Sequence, residues 1–253
     1  MTPLRQIIAS ASCSISGLDA AKLEMAKYRD SGSFAGRECY LEEATKYLNN
    51  VIESGKPAEQ REAITLKAKV NIDRAKFLLN NYKNQKTPFK QEVSLVNACR
   101  FLDYAFRNGE RNDHNESVIL QTQVNVERAQ LEWLKYKSKT TRQAQELCMQ
   151  NASDYLNYIM VHGNAETRKK AVELNANISL EKAKLKWLDY QTHSSYGYQT
   201  QSSLASRKNC LAEATNHLRA TIAIGKDEDK KEASNMLKFI MHMRYATKNE
   251  TIA

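Results

Sequence analysis

The sequence predicts an all-α protein, a stack of four helical hairpins closed by a ninth helix, and three observations carry that prediction. Only 8 Gly and 3 Pro occur in 253 residues, too few to punctuate a sandwich or barrel. Tyr28, Tyr82, Tyr136 and Tyr190 recur every 54 residues, and Ala21, Ala75, Ala129 and Ala183 keep the same interval, so the chain is an internal repeat. Within each copy the apolar residues fall at steps of three and four and never alternate as in a strand, as with Val118, Thr122, Ala129, Trp133 and Tyr136. One repeat domain is expected over 1–253, with repeats at about 1–55, 56–109, 110–163 and 164–225 and a capping helix at 226–247.

The first helix of each repeat is predicted at 4–29, 57–83, 112–137 and 165–190, and the second at 36–54, 89–108, 141–161 and 202–223. A ninth helix follows at 228–246. Pro57 and Pro88 suit the first turn of a helix, Thr140 with Gln143 suits a capping box, and Gly55, Gly109, Gly163 and Gly225 suit the left-handed residue past a helix end. The second helices repeat as Leu41, Ala44, Tyr47 and Leu48, then Leu95, Ala98, Phe101 and Leu102, then Met149, Ala152, Tyr155 and Leu156, then Leu211, Ala214, His217 and Leu218. The last copy is displaced by 8 residues, which places an insertion in or near QTHSSYGYQTQSS, expected as a polar loop presenting Tyr196 and Tyr198. In the helix at 112–137, Val118, Ala129, Trp133 and Tyr136 share one face while Leu120, Val124, Leu131 and Leu134 lie nearly opposite. A helix apolar on two sides belongs between two neighbours in a stacked array. Trp133 and Trp187 fall on that apolar stripe and are expected in the core, not on a surface where bases stack.

The stretch EEATKYLNNVIESGKPAEQREA at 42–63 resembles the second helix and following turn of a tetratricopeptide repeat. The units here exceed that family's period of about 34 residues, and its first-helix Trp-Leu-Gly-Tyr order is not reproduced, so the resemblance rests on the second helices. It implies a right-handed solenoid whose first helices line a concave surface, and a role in binding protein segments.

Composition narrows the remaining classes. The formal charge of +9 is spread among 29 acids with no dense basic run, so charge alone does not assign nucleic acid or anionic lipid as partner. No segment reaches the roughly 20 apolar residues of a membrane span, and the opening MTPLRQIIASASC has too weak an apolar centre for a leader. Cys13, Cys39, Cys99, Cys148 and Cys210 are odd in number and lack CxxC spacing, which points to a reducing, cytoplasmic setting and against a zinc site. The Asn- and Lys-rich wording also fits a secreted microbial effector acting in a host cytosol. Phosphate loops, GxGxxG, GxSxG and HExxH are absent from the sequence, so no enzyme, metal or cofactor is expected.

A polar ridge runs along the first helices between their apolar faces. It comprises Lys67, Asn71, Arg74 and Asn81 in the second repeat, Gln121, Asn125, Arg128, Glu132 and Lys135 in the third, and Asn175, Ser179, Lys182, Lys186 and Asp189 in the fourth. Arg74, Arg128, Lys182 and, past the insertion, Arg244 occupy one repeat position. If first helices line a groove, these cations would pair with carboxylates of an acidic or extended peptide, and Asn71 and Asn125 would bond its backbone. The expected function is therefore a non-catalytic scaffold for protein–protein interaction. Nucleic acid or anionic lipid held by the same repeated cations is the alternative.

Overall fold

The computed structural model describes residues 16–195 and 201–250, omitting the side chains of 193–195, 201–204 and 244–250. Nine α-helices, and no strand, occur among the described residues: α1 Gly17–Asp30, α2 Phe34–Ser54, α3 Pro57–Asn81, α4 Pro88–Asn108, α5 Arg111–Ser138, α6 Arg142–His162, α7 Ala165–Ser195, α8 Gln201–Ile224 and α9 Asp227–Glu250. A short 3-10 turn, Tyr82–Asn84, follows α3. The expected boundaries hold within a few residues from α2 onward, except that α7 runs on to Ser195 and so absorbs part of the insertion into helix; α1, expected from residue 4, starts at Gly17 behind the capping Ser16, and residues 4–15 lie outside the described residues. The chain divides into two compact halves, 1–124 and 125–253, with the division inside α5.

Helix starts follow local chemistry. Pro57 and Pro88 occupy first-turn positions where a missing N–H costs nothing, and Thr87 Oγ1 caps α4 by accepting from the Lys90 N–H. The box expected at Thr140 does not form: the capping position is Thr141, whose side chain makes no capping bond. The glycines past the helix ends are not left-handed either. Gly55, Gly109 and Gly163 have φ of −76°, −84° and −72°. Their requirement is steric, because a Cβ at Gly163 would lie 2.5 Å from the Ile159 carbonyl oxygen and 2.6 Å from Thr167 Oγ1.

In the N-terminal half, α2 wedges between α1 and α3, and Leu18, Ala21 and Met25 meet Leu41, Ala44 and Leu48 and then Ala63, Val70 and Phe77 in one apolar cluster. In the C-terminal half, α6 does the same between α5 and α7, and α8 between α7 and α9. The repeated tyrosine has a double duty. Tyr136 is buried, stacks on Trp133 with centroids 5.1 Å apart, and donates from its hydroxyl to Glu181 on the next first helix at 2.8 Å. Burial and then that carboxylate push the Tyr136 phenol far above its ordinary range. Consecutive first helices are also joined by ion pairs at one repeat position: Lys22 with Glu62, Lys76 with Glu116, and Lys184 with Glu232, at 2.8, 2.6 and 2.7 Å. At the intervening junction the sequence has Gln130 and Lys170 instead.

Helix α9 packs on α8 in the manner of a first helix. Ala233 and Ile240 pack on α8 as Ala171 and Ile178 pack on α6. Its outward side differs from theirs. Ala68, Thr122 and Ala176, all at 1% exposure or less, are matched in α9 by exposed Lys238, and buried Asn71, Asn125 and Ser179 by Met241 at 37%.

Candidate functional site

The polar ridge read from the sequence is largely interior. Asn71 and Asn125 are 3% and 4% exposed and cannot reach a peptide backbone, and Glu132 and Ser179 are buried beside them. A stripe polar enough to suggest solvent is instead packed in part against the second helices.

The expected cation ladder is taken up by those contacts. The Arg74 guanidinium lies 4.2 Å from the centre of the Phe101 ring and donates toward Thr45 Oγ1 at 3.4 Å, and burial lowers its pKa. Arg128 lies 4.1 Å over the Tyr155 ring and donates to its hydroxyl at 2.7 Å. Lys67 sits 4.7 Å over Tyr104, Gln121 donates to Cys99 Sγ at 3.2 Å, and Lys135 pairs with Glu132 at 2.6 Å. All but the Lys135 pair, which lies within α5, tie a first helix to a second helix, so these side chains do not form an open row of donors. Asn175 is half-buried. The side chain of Arg244 and both tyrosines of the insertion, Tyr196 and Tyr198, lie outside the described residues.

The fourth repeat departs from this pattern. Lys182 occupies the Arg128 position and donates to Ser153 Oγ at 2.9 Å, but the six-membered ring of Phe101 or Tyr155 is replaced there by the smaller imidazole of His217. Lys186 stands where repeat three has buried Glu132, a reversal of charge. Between α6, α7 and α8 a crevice of about 380 Å³ opens, walled by Lys182, Lys186, His217 and Arg142, with Met149 and Leu185 as apolar surface and Glu146 and Gln150 at its side. The structure thus brings together two of the expected residues, Lys182 and Lys186, and adds Arg142 and His217. His217 was legible as the break in the series Tyr47, Phe101, Tyr155, His217. Arg142 was not, since it follows no repeat position of its own kind.

The charges of this crevice are unevenly matched. Arg142 bonds Glu146 at 2.9 Å and Asp189 at 2.8 Å, and Lys186 pairs with Glu213 at 2.8 Å. Lys182 has no carboxylate within ion-pair distance among the described residues, and burial lowers its pKa against a weaker pull from Asp154. His217 is held below its ordinary pKa by burial first and by Lys182 second. A second crevice of about 360 Å³ lies between α5, α7 and α9, but its wall residues Glu181, Lys184 and Glu232 already satisfy one another.

Among the described residues no His, Cys, Asp and Glu group is arranged to hold a metal ion, and no helix is long and apolar enough to cross a membrane. Cys39, Cys99, Cys148 and Cys210 are free thiols. No protein-family model and no curated protein matches the chain. One solved structure, described as a computationally designed self-assembling cyclic homo-oligomer, is similar over 90% of each chain at 10% identity. Its TM-score of 0.23 is too low to carry any argument about fold or assembly.

Proposed function

We propose that this chain is a non-catalytic helical-repeat scaffold that binds an acidic, extended segment of another protein. The observation that supports this reading is the crevice of the fourth repeat, where Lys182 stands without a carboxylate partner beside Lys186 and Arg142, while Arg74 and Arg128 at its repeat position are closed by aromatic rings. A right-handed stack of the hairpins and a cytosolic setting belong to the same proposal, the latter supported by the four free thiols. Binding of nucleic acid or anionic lipid has less support, because most first-helix cations already face acids or rings of their own chain.

The test is retention of partners from lysate, with and without nuclease, on the wild-type chain and on a Lys182→Glu, Lys186→Glu variant of unchanged melting temperature. Loss of a discrete, nuclease-resistant, acidic protein from the variant is the expected result. Recovery of nucleic acid alone would end the scaffold reading.

A further inference from the structure

We infer that the crevice between α6, α7 and α8 is a binding site for one carboxylate group, seated at the Lys182 ammonium. This inference rests on the scaffold reading and specifies the chemistry of its contact.

Three observations carry it. First, the repeats provide an internal comparison: at one position Arg74 and Arg128 are roofed by Phe101 and Tyr155 at 4.2 and 4.1 Å, whereas Lys182 is shorter and its counterpart residue is His217, leaving the hollow of about 380 Å³. A half-buried cation with no carboxylate at ion-pair distance is costly to keep unless something offsets its charge. Second, Arg142 Nη1 is buried and has no hydrogen-bond partner although the other two nitrogens of that guanidinium are bonded. A donor is thus left over on the same wall. Third, the pairing pattern singles out Lys182. Arg142 takes both Glu146 and Asp189 and Lys186 takes Glu213, so three cations face three acids while Lys182 itself meets none of them. A group bearing one negative charge disturbs that balance less than a phosphate dianion, which would also face Glu146 on the crevice wall. Met149 and Leu185 supply apolar wall for the methylenes that carry a side-chain carboxylate.

The experiment follows the Met149 methyl signal in the full chain during titration with acetate, and separately with inorganic phosphate and chloride at matched ionic strength. A saturable acetate shift is expected, with no saturable shift from chloride and only a weaker one from phosphate. Lys182→Met keeps the stem, removes the charge and should weaken acetate by about tenfold or more. His217→Tyr restores the roof found in the third repeat and should abolish the shift in a chain that melts no lower than wild type, which keeps the test decisive if Lys182→Met folds poorly. Saturation by phosphate at lower concentration than acetate would overturn the assignment to carboxylate. Absence of a saturable acetate shift, or an undiminished one in both variants, would overturn the site. A polyglutamate peptide separates the two claims: retained peptide binding in His217→Tyr leaves the scaffold and removes this site, whereas acetate saturation without peptide binding leaves the site and removes the scaffold.

Discussion

Replacing Arg128 tests whether the repeated cations hold the protein together or await a partner. Arg128 donates to the Tyr155 hydroxyl at 2.7 Å and covers the ring at 4.1 Å, on a half-buried patch linking α5 to α6. Arg128→Met keeps most of the aliphatic stem and removes the guanidinium. The hydrogen bond to a charged donor contributes about 1.5 kcal/mol, and the cation over the ring about 1 kcal/mol where water is partly excluded. Together these predict a loss of about 2.5 kcal/mol, which for a chain of this size lowers the melting temperature by about 5–10 °C. The assay is thermal unfolding followed by circular dichroism, run as a double-mutant cycle with Tyr155→Leu. A coupling of about 1–2 kcal/mol between the two sites is expected, since each change removes the same contact. Additive effects, or an unchanged melting temperature in Arg128→Met, would refute this reasoning and return Arg128 to the list of free partner-binding residues.

Three further outcomes follow from the geometry. Gly163→Ala places a Cβ 2.5 Å from the Ile159 carbonyl oxygen and should cost about 1–3 kcal/mol in urea unfolding, as overpacking does. Trp133→Ala empties a half-buried site against the cluster of Met149 and Ala152 and breaks the stack on Tyr136; a loss of about 3 kcal/mol is expected by the same measurement. His217 has a folded pKa below its unfolded value, owing to burial and then to Lys182, so the unfolded chain binds its proton first as the pH falls. Its contribution to stability is therefore complete above about pH 6.5 and lost as the pH drops through the unfolded and then the folded pKa. Wild type should lose more melting temperature between pH 7.5 and 5.5 than His217→Phe does.

The helices were legible because their information is local and copied. Tyr28, Tyr82, Tyr136 and Tyr190 fix the period, the prolines fix two starts, and the three- and four-residue steps fix the faces. The buried ridge was not legible, because Asn71, Asn125 and Arg128 read identically whether the third side of a helix meets water or a neighbour's carbonyls and rings. Polarity reports what a side chain can bond, not who supplies the bond. The glycines misled for a related reason: Gly55, Gly109 and Gly163 were expected from backbone torsion, yet crowding against the preceding turn requires them. Leu134 was expected inside and is 62% exposed, since a stripe drifts around a helix of 28 residues and leaves its last member outside the contact. The crevice was half legible, through the exchange of Tyr or Phe for His217.

The small residues Ala68, Thr122 and Ala176 recur at one place on successive first helices, each at 1% exposure or less. At Ala176 the backbone carbonyl accepts from the Thr221 hydroxyl, on the second helix of its own repeat. Lys238 stands at that place in α9 and is exposed. An ammonium group is costly to bury there, so α9 resists on that side the close-packed neighbour that α7 accepts. Lys238→Ala would restore the small residue, and the consequence would appear as association that rises with protein concentration.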